Sequence, residues 1–258
     1  MQWRLWILGG LSVTVVVTAL ILPPVSQSAD YHQFADQRSF LNIPNFYNVV
    51  SNLAFVLSGG AGLALLFRVY RSVIQKTFRN KAECLPYLVL FLGVVATALG
   101  SIVYHWKPDN VSLLWDRLPL AIAITALLVA TLVERVNLTW GLWSLPILTS
   151  LGMMSVLHWF WTEQQGSGNL NFYAITQFYS ILLIVLLSLF YSSPYTQAKG
   201  IYQVIALYAV AKLAEVLDME IYSLTSYSVS GHTLKHLLAA LACYRIVRML
   251  QKRVFLSG

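Results

Sequence analysis

Apolar stretches about as long as a bilayer is thick recur along almost the entire chain, and this repetition constrains the fold more than any other feature. A helix that crosses the hydrocarbon core needs roughly 20 mostly apolar residues, because in lipid each backbone N–H and C=O must be satisfied within the segment. Eight such segments can be read, at about residues 5 to 22, 46 to 67, 85 to 105, 117 to 133, 140 to 160, 172 to 192, 200 to 218 and 232 to 250. Only short polar breaks separate them, so no soluble domain fits between. Of the 258 residues only 10% are charged, against roughly one quarter in a soluble domain. The expected class is all-α, a polytopic membrane bundle. Residues 1 to 29 would form an N-terminal transmembrane helix or signal anchor, and residues 30 to 258 a seven-helix membrane domain. Arg4 before the first run and Ser28-Ala29 after it are also compatible with a signal peptide. That run is long for a signal core of about 7 to 15 residues, so a retained helix is expected.

The net charge of +7 does not mark a nucleic-acid partner, because the basic residues sit in short loops beside apolar segments. Taken in order, Arg4, Arg68, Arg71, Lys76, Arg79, Lys81, Arg135, Lys199, Arg245, Arg248, Lys252 and Arg253 fall on one side, which is 12 of the 17. Arg38, Lys107 and Arg117 fall on the other, while Lys212 and Lys235 lie within apolar segments. The positive-inside rule then puts both termini in the cytoplasm of a multi-pass protein of the cell (inner) membrane. Residues 30 to 45, 106 to 116, 161 to 171 and 219 to 231 face outward. Trp3, Trp6, Trp106, Trp115, Trp140, Trp143, Trp159 and Trp161 lie near segment ends, as interfacial belts do. Pro119 is expected in the first turn of its helix, where proline is tolerated. Cys84 and Cys243 offer neither a disulfide framework nor a CxxC metal motif and read as packing residues.

Under this topology all five histidines, His32, His105, His158, His232 and His236, fall in outward loops or outward helix halves. His232 and His236 are four apart and share a helix face, as do Ser101 and His105. Asp116 opens the next segment after a loop of about ten residues. Three histidines, a carboxylate and a hydroxyl thus reach one membrane depth, where ionisable groups are costly and usually functional. Three histidines with one open position make a catalytic zinc shell. Singly, each residue has a plainer reading: histidines bonded to headgroups, Ser101 bonded to its own helix, and Asp116 favoured by the helix dipole.

Ser101-x-x-x-His105, Leu-Leu-Trp-Asp116-Arg-Leu-Pro-Leu and His232-x-x-x-His236-Leu-Leu, in this order, resemble the signature of the alkaline ceramidase family. Asn45-Phe-Tyr-Asn48-Val-Val-Ser51-Asn52 resembles the start of that family's first core helix. The resemblance covers about residues 30 to 250. It implies a seven-helix ceramidase-like core with one extra N-terminal helix, and zinc (Zn2+) held by His105, His232 and His236. It also implies Asp116 and Ser101 as the catalytic residues beside the metal. Eukaryotic members resemble one another in an acidic calcium-binding stretch before the first core helix. Here that region reads Asp30-Tyr-His-Gln-Phe-Ala-Asp36, with Asn45 where an acid would be expected. The departure argues against calcium (Ca2+) and leaves the particular lipid open.

The function expected from these readings is a zinc-dependent intramembrane hydrolase of the amide bond of ceramide or a related N-acyl lipid, its partner being that membrane lipid. The alternative is a seven-helix lipid receptor with structural zinc and no turnover. Lys212, Glu215 and Asp218 recur every three residues and are expected to form an ion-pair ladder or a polar lining near the site. Lys235 is expected to snorkel outward or pair with an acid such as Glu220. Glu163 and His158 are expected at the interface, with a supporting place beside the metal as the rival reading.

Overall fold

The computed structural model describes residues 2–71 and 77–256; Lys76, counted above with the basic residues of one face, lies outside them. The described residues are helical, with two isolated bridges and no strand. The helices are α1 Gln2–Ile21, α2 Phe46–Ser51, α3 Leu53–Arg71, α4 Cys84–Trp106, α5 Asn110–Arg135, α6 Leu138–Gln164, α7 Asn171–Phe190, α8 Gly200–Val216, α9 Asp218–Leu224 and α10 Gly231–Lys252. Among the described residues, five spans are long and apolar enough to cross a membrane: Phe46–Arg71, Lys81–Trp106, Asn110–Arg135, Leu138–Gln164 and Asn171–Phe190. The first expected segment is the 20-residue apolar helix α1. The last two are helical but shorter or more charged. The chain bends at Leu217 and ends α8 after 17 residues, and α10 carries Lys235, Arg245, Arg248 and Lys252.

The helices pack as a bundle, α10 against α8 and α3, α3 against α4, α4 against α5, and α5 against α6 and α7. α5 is the central element: 72% of its apolar window is buried, against 28% for α6. α1 lies outside the bundle along α7, where the Ser12 and Tyr179 hydroxyls meet at 2.6 Å and Trp3 packs edge-on against Phe190. Phe91, Val129, Ile184, Val247 and Leu250 are fully enclosed in the core, whereas Leu57, Trp140, Trp143 and Leu189 are exposed on the bundle's outer surface.

α5 begins earlier than its apolar pattern indicates. Asp109 caps it with a reciprocal Ser112 capping box, which satisfies first-turn N–H groups and lets a polar first turn join the helix. The connection from α4 therefore shrinks to Lys107–Asp109, and Asp116 stands almost two turns inside α5 instead of opening it. Pro119 likewise sits within the helix and not in its first turn, so the Trp115 carbonyl four residues earlier has no intrahelical N–H partner. α4 meets this carbonyl with Gly100, where a Cβ would lie 2.0 Å from Trp115 O. Only glycine allows that approach, and it brings Ser101 and His105 against the start of α5.

Candidate metal centre

The structure brings together the three histidines singled out above. His105 is the penultimate residue of α4, and His232 and His236 lie one turn apart near the start of α10. All three are buried, and one ring nitrogen of each lies within 4.8 Å of the others. The Nε2 atoms of His105 and His236 are 3.3 Å apart. Tetrahedral donors about 2.0–2.1 Å from a zinc ion are separated by about 3.3–3.4 Å, so this pair already has the edge length of such a shell.

Local chemistry holds each ring. Ser230 caps α10 by accepting from Thr233 N at 3.1 Å, and Asp218 Oδ1 accepts from His232 N at 2.6 Å. The junction is tight because a Cβ on Gly231 would lie 2.1 Å from Ala214 O. The His105 carbonyl accepts from Asn45 Nδ2 at 2.9 Å. His236 Nδ1 lies 2.8 Å from Ser51 Oγ, which directs Nε2 towards His105. A hydrogen bond on the far ring nitrogen is how metal-binding histidines are usually oriented. Asn48 is buried beside it, its Oδ1 accepting from Thr233 Oγ1 at 3.0 Å. His105 Nδ1 is buried without a partner.

Beside the histidines a cavity of about 150 Å³ is lined at one end by Ser101, Asp116, Arg117, Glu215, Lys235 and His236. The rest of its wall is mostly apolar, including Leu90, Val94, Ile124, Leu127, Val204 and Ile246, with Thr97, Gln177, Tyr208 and Lys212 also lining it. The Ser101 hydroxyl is hydrogen-bonded to the Asp116 carboxylate. Lys212 pairs with Glu215, and Lys235 Nζ lies 3.0 Å from Glu215 and 2.7 Å from His232 Nε2.

Several expectations are corrected or divided by this geometry. Lys235 pairs with Glu215 and not Glu220. Lys212 and Glu215 pair and line the cavity, but Asp218 leaves the ladder to bind His232 N and, through Oδ2, Ala35 N at 3.0 Å. His32 is engaged by Tyr104 and Asn110, each at 3.1 Å, away from the metal cluster. Glu163 accepts from Gln27 N at 2.6 Å, and His158 packs edge-on against Phe172. Trp159 belongs to no interfacial belt: it is fully buried under the Arg117 guanidinium, whereas the other seven tryptophans of the belt are exposed. Sequence reasoning gave no role to Ser51, Asn48, Tyr31 or Arg117; the available signal was polar character inside or beside apolar segments.

Above the site, Asp36 receives two bonds from the Arg38 side chain, at 2.8 and 2.6 Å, and Arg38 donates to Ser228 O at 2.8 Å. Burial works to raise the Asp36 pKa, but the bonds from Arg38 outweigh it and hold the carboxyl below its ordinary value. No protein-family model and no curated protein matches this chain.

Proposed function

We propose that the chain is a multi-pass membrane hydrolase of ceramidase-like architecture, a seven-helix core with one extra N-terminal helix, which uses zinc to cleave the amide bond of ceramide or a related N-acyl lipid. The observation that carries this reading is a single cavity that runs from His236, Asp116 and Ser101 into an apolar channel. A lipid with a polar scissile bond and a long acyl chain has that shape and polarity. The orientation proposed above is supported by Arg68, Arg71, Arg135, Arg245, Arg248 and Lys252, which lie at the helix ends opposite the histidines.

The donor set fits zinc: three imidazoles, one oriented by Ser51, with no thiolate among them. Bound by His105, His232 and His236, the ion would polarise the amide carbonyl and bring the pKa of water towards neutrality. Asp116 accepts a proton from the attacking water and delivers it to the departing nitrogen. The water oxygen bonds to the carbonyl carbon, the C–N bond breaks, and a fatty acid and an amine leave. Ser101 donates a hydrogen bond to the oxygen that gains charge, while the apolar wall holds the acyl chain.

The test is fatty-acid release from a panel of N-acyl lipids in liposomes, with zinc quantified in the same samples. The wild type is expected to carry about one zinc per chain and to release product. His236→Ala is expected to lose both properties together. Asp116→Asn should retain the metal while losing ~10² to 10⁴ in rate, the usual contribution of a positioned acid or base. A zinc-loaded wild type that releases nothing would favour the receptor reading, and full activity in Asp116→Asn would remove Asp116 from the chemistry.

A further inference from the structure

Arg117 is the cavity's unexplained charge. It is 5% exposed and lines the polar end next to Asp116. Its guanidinium carbon lies 4.2 Å from the Trp159 ring centroid, 4.9 Å from that of Tyr173 and 5.1 Å from that of Tyr31. Nη2 donates to Gln27 Oε1 at 2.6 Å. Three rings and one amide therefore hold the planar group in a fixed direction, yet Nη1 is buried with no hydrogen-bond partner. Among the described residues Arg117 makes no ion pair. Asp116 is near enough to act on this charge, but no carboxylate reaches ion-pair distance, and buried donors such as Nη1 are almost always satisfied by something.

The charges around the cavity give the sign of the missing partner. Arg117, Lys212 and Lys235 supply three cations, whereas Asp116 and Glu215 supply two carboxylates. Glu215 is already shared by both lysines. Among these side chains, before any metal is counted, the surplus is one positive charge, and Arg117 is the cation with an uncommitted nitrogen. A carboxylate supplies a single compensating charge and suits one N–H edge, whereas a phosphate monoester brings about −1.5 to −2.

We propose that Arg117 binds a carboxylate on the amine side of the scissile bond, so that the preferred substrates are N-acyl amino acids and not neutral N-acyl lipids. This rests on the reading of the cavity as the substrate site. Gln27 and the three rings act as positioning residues for the guanidinium, and the segment that follows α1 thereby becomes part of substrate selection. Leu170 N donates to Val25 O at 2.8 Å and fixes that segment on the bundle.

The probes are N-oleoylglycine, its methyl ester and N-oleoylethanolamine, compared by kcat/KM in liposomes. The wild type is expected to favour the free acid by about 10- to 100-fold, the size of a charge-assisted hydrogen bond in a buried site. Arg117→Met should bring the ratio close to one, and Arg117→Lys should keep part of it. An unchanged ratio in Arg117→Met, or equal rates for acid and ester in the wild type, overturns the proposal; the second result needs no variant to fold. Equilibrium binding of the same probes to zinc-loaded Asp116→Asn separates this inference from the hydrolase reading. Arg117-dependent preference for the acid without wild-type turnover sustains the anion site and ends the hydrolase reading. Hydrolysis of all three probes without preference does the reverse.

Discussion

The two ends of the bundle both bury charges, but they finish them differently. At the end remote from the histidines, Arg253 is 4% exposed and donates to Glu134 at 3.0 Å and to Thr77 O at 2.8 Å. Its guanidinium also lies over Phe78, Tyr87 and Tyr195. Glu134 accepts a further bond from Ser193 at 2.6 Å, and Glu83 is met by Tyr195, while its Oε1, which makes no hydrogen bond, has the Arg79 cation at 3.6 Å as its partner. The same three helices, α4, α5 and α10, reach the histidine end with His105 Nδ1 buried and unmatched, and with Arg117, whose Nη1 is also unmatched, lining a cavity. Partners supplied from within the fold make a clamp. Buried donors and acceptors left beside an open volume mark a place arranged for something that the chain does not supply.

The largest expected effect tests the clamp. Arg253→Met leaves Glu134 with only Arg135 at 3.9 Å as a cation and the bond from Ser193, and breaking one side of a buried pair costs about 3–5 kcal/mol. For a chain of this size that is a fall in apparent Tm on the order of 10 °C. Zinc per folded chain should stay at the wild-type value, because no residue of the clamp touches the histidines. A variant with unchanged Tm would show that the pair is not structural, and loss of zinc in the folded fraction would break the contrast between the two ends.

A smaller effect is expected at the other end. Ser51→Ala removes the bond that orients His236, and such outer partners usually account for 10–100-fold in metal affinity. Zinc should bind more weakly by about that factor, while the Tm of the metal-free protein changes little. Equal affinity in competition with a chelator would mean that packing alone sets the His236 ring.

The contrast also explains what was legible in the sequence. The histidine cluster was readable because its members obey short-range rules: His232 and His236 share a face at four-residue spacing, and His105 ends the helix before the Asp116 segment. The helical architecture was readable from the apolar repeats. Ser51 was not assigned, because its contact with His236 spans 185 positions and a serine in an apolar helix usually bonds back to its own turn. The placement of Asp116 was misread because the polar first turn of α5 interrupts the apolar pattern while Asp109 and Ser112 still nucleate the helix. Lys235 could have chosen Glu215 or Glu220 by spacing, and only the bend at Leu217 settles which carboxylate faces it. Trp159 looked like any helix-end tryptophan until the Arg117 guanidinium was found stacked on it.

The smallest expected effect concerns the loop that closes over the histidine end, and its sign follows from Asp36. The folded carboxyl titrates below its ordinary value of 3.8, so it contributes stability that is complete above that value and is lost as pH falls through the lower folded one. Arg38→Met should remove this contribution. The difference in unfolding free energy between wild type and variant should then be constant from about pH 7 to 5 and shrink as the buffer is taken below the ordinary aspartate range. Because 43% of the Arg38 side chain is exposed, solvent screening keeps the difference under about 1 kcal/mol, and raising the salt to about 1 M should reduce it further. The measurement is thermal unfolding in detergent across pH, with both proteins at matched zinc loading. A difference that stays constant to the lowest pH would assign the effect to the Arg38 bond with Ser228 O and to its stacking on Tyr47 and Tyr222, leaving the Asp36 charge with no part in closing the loop.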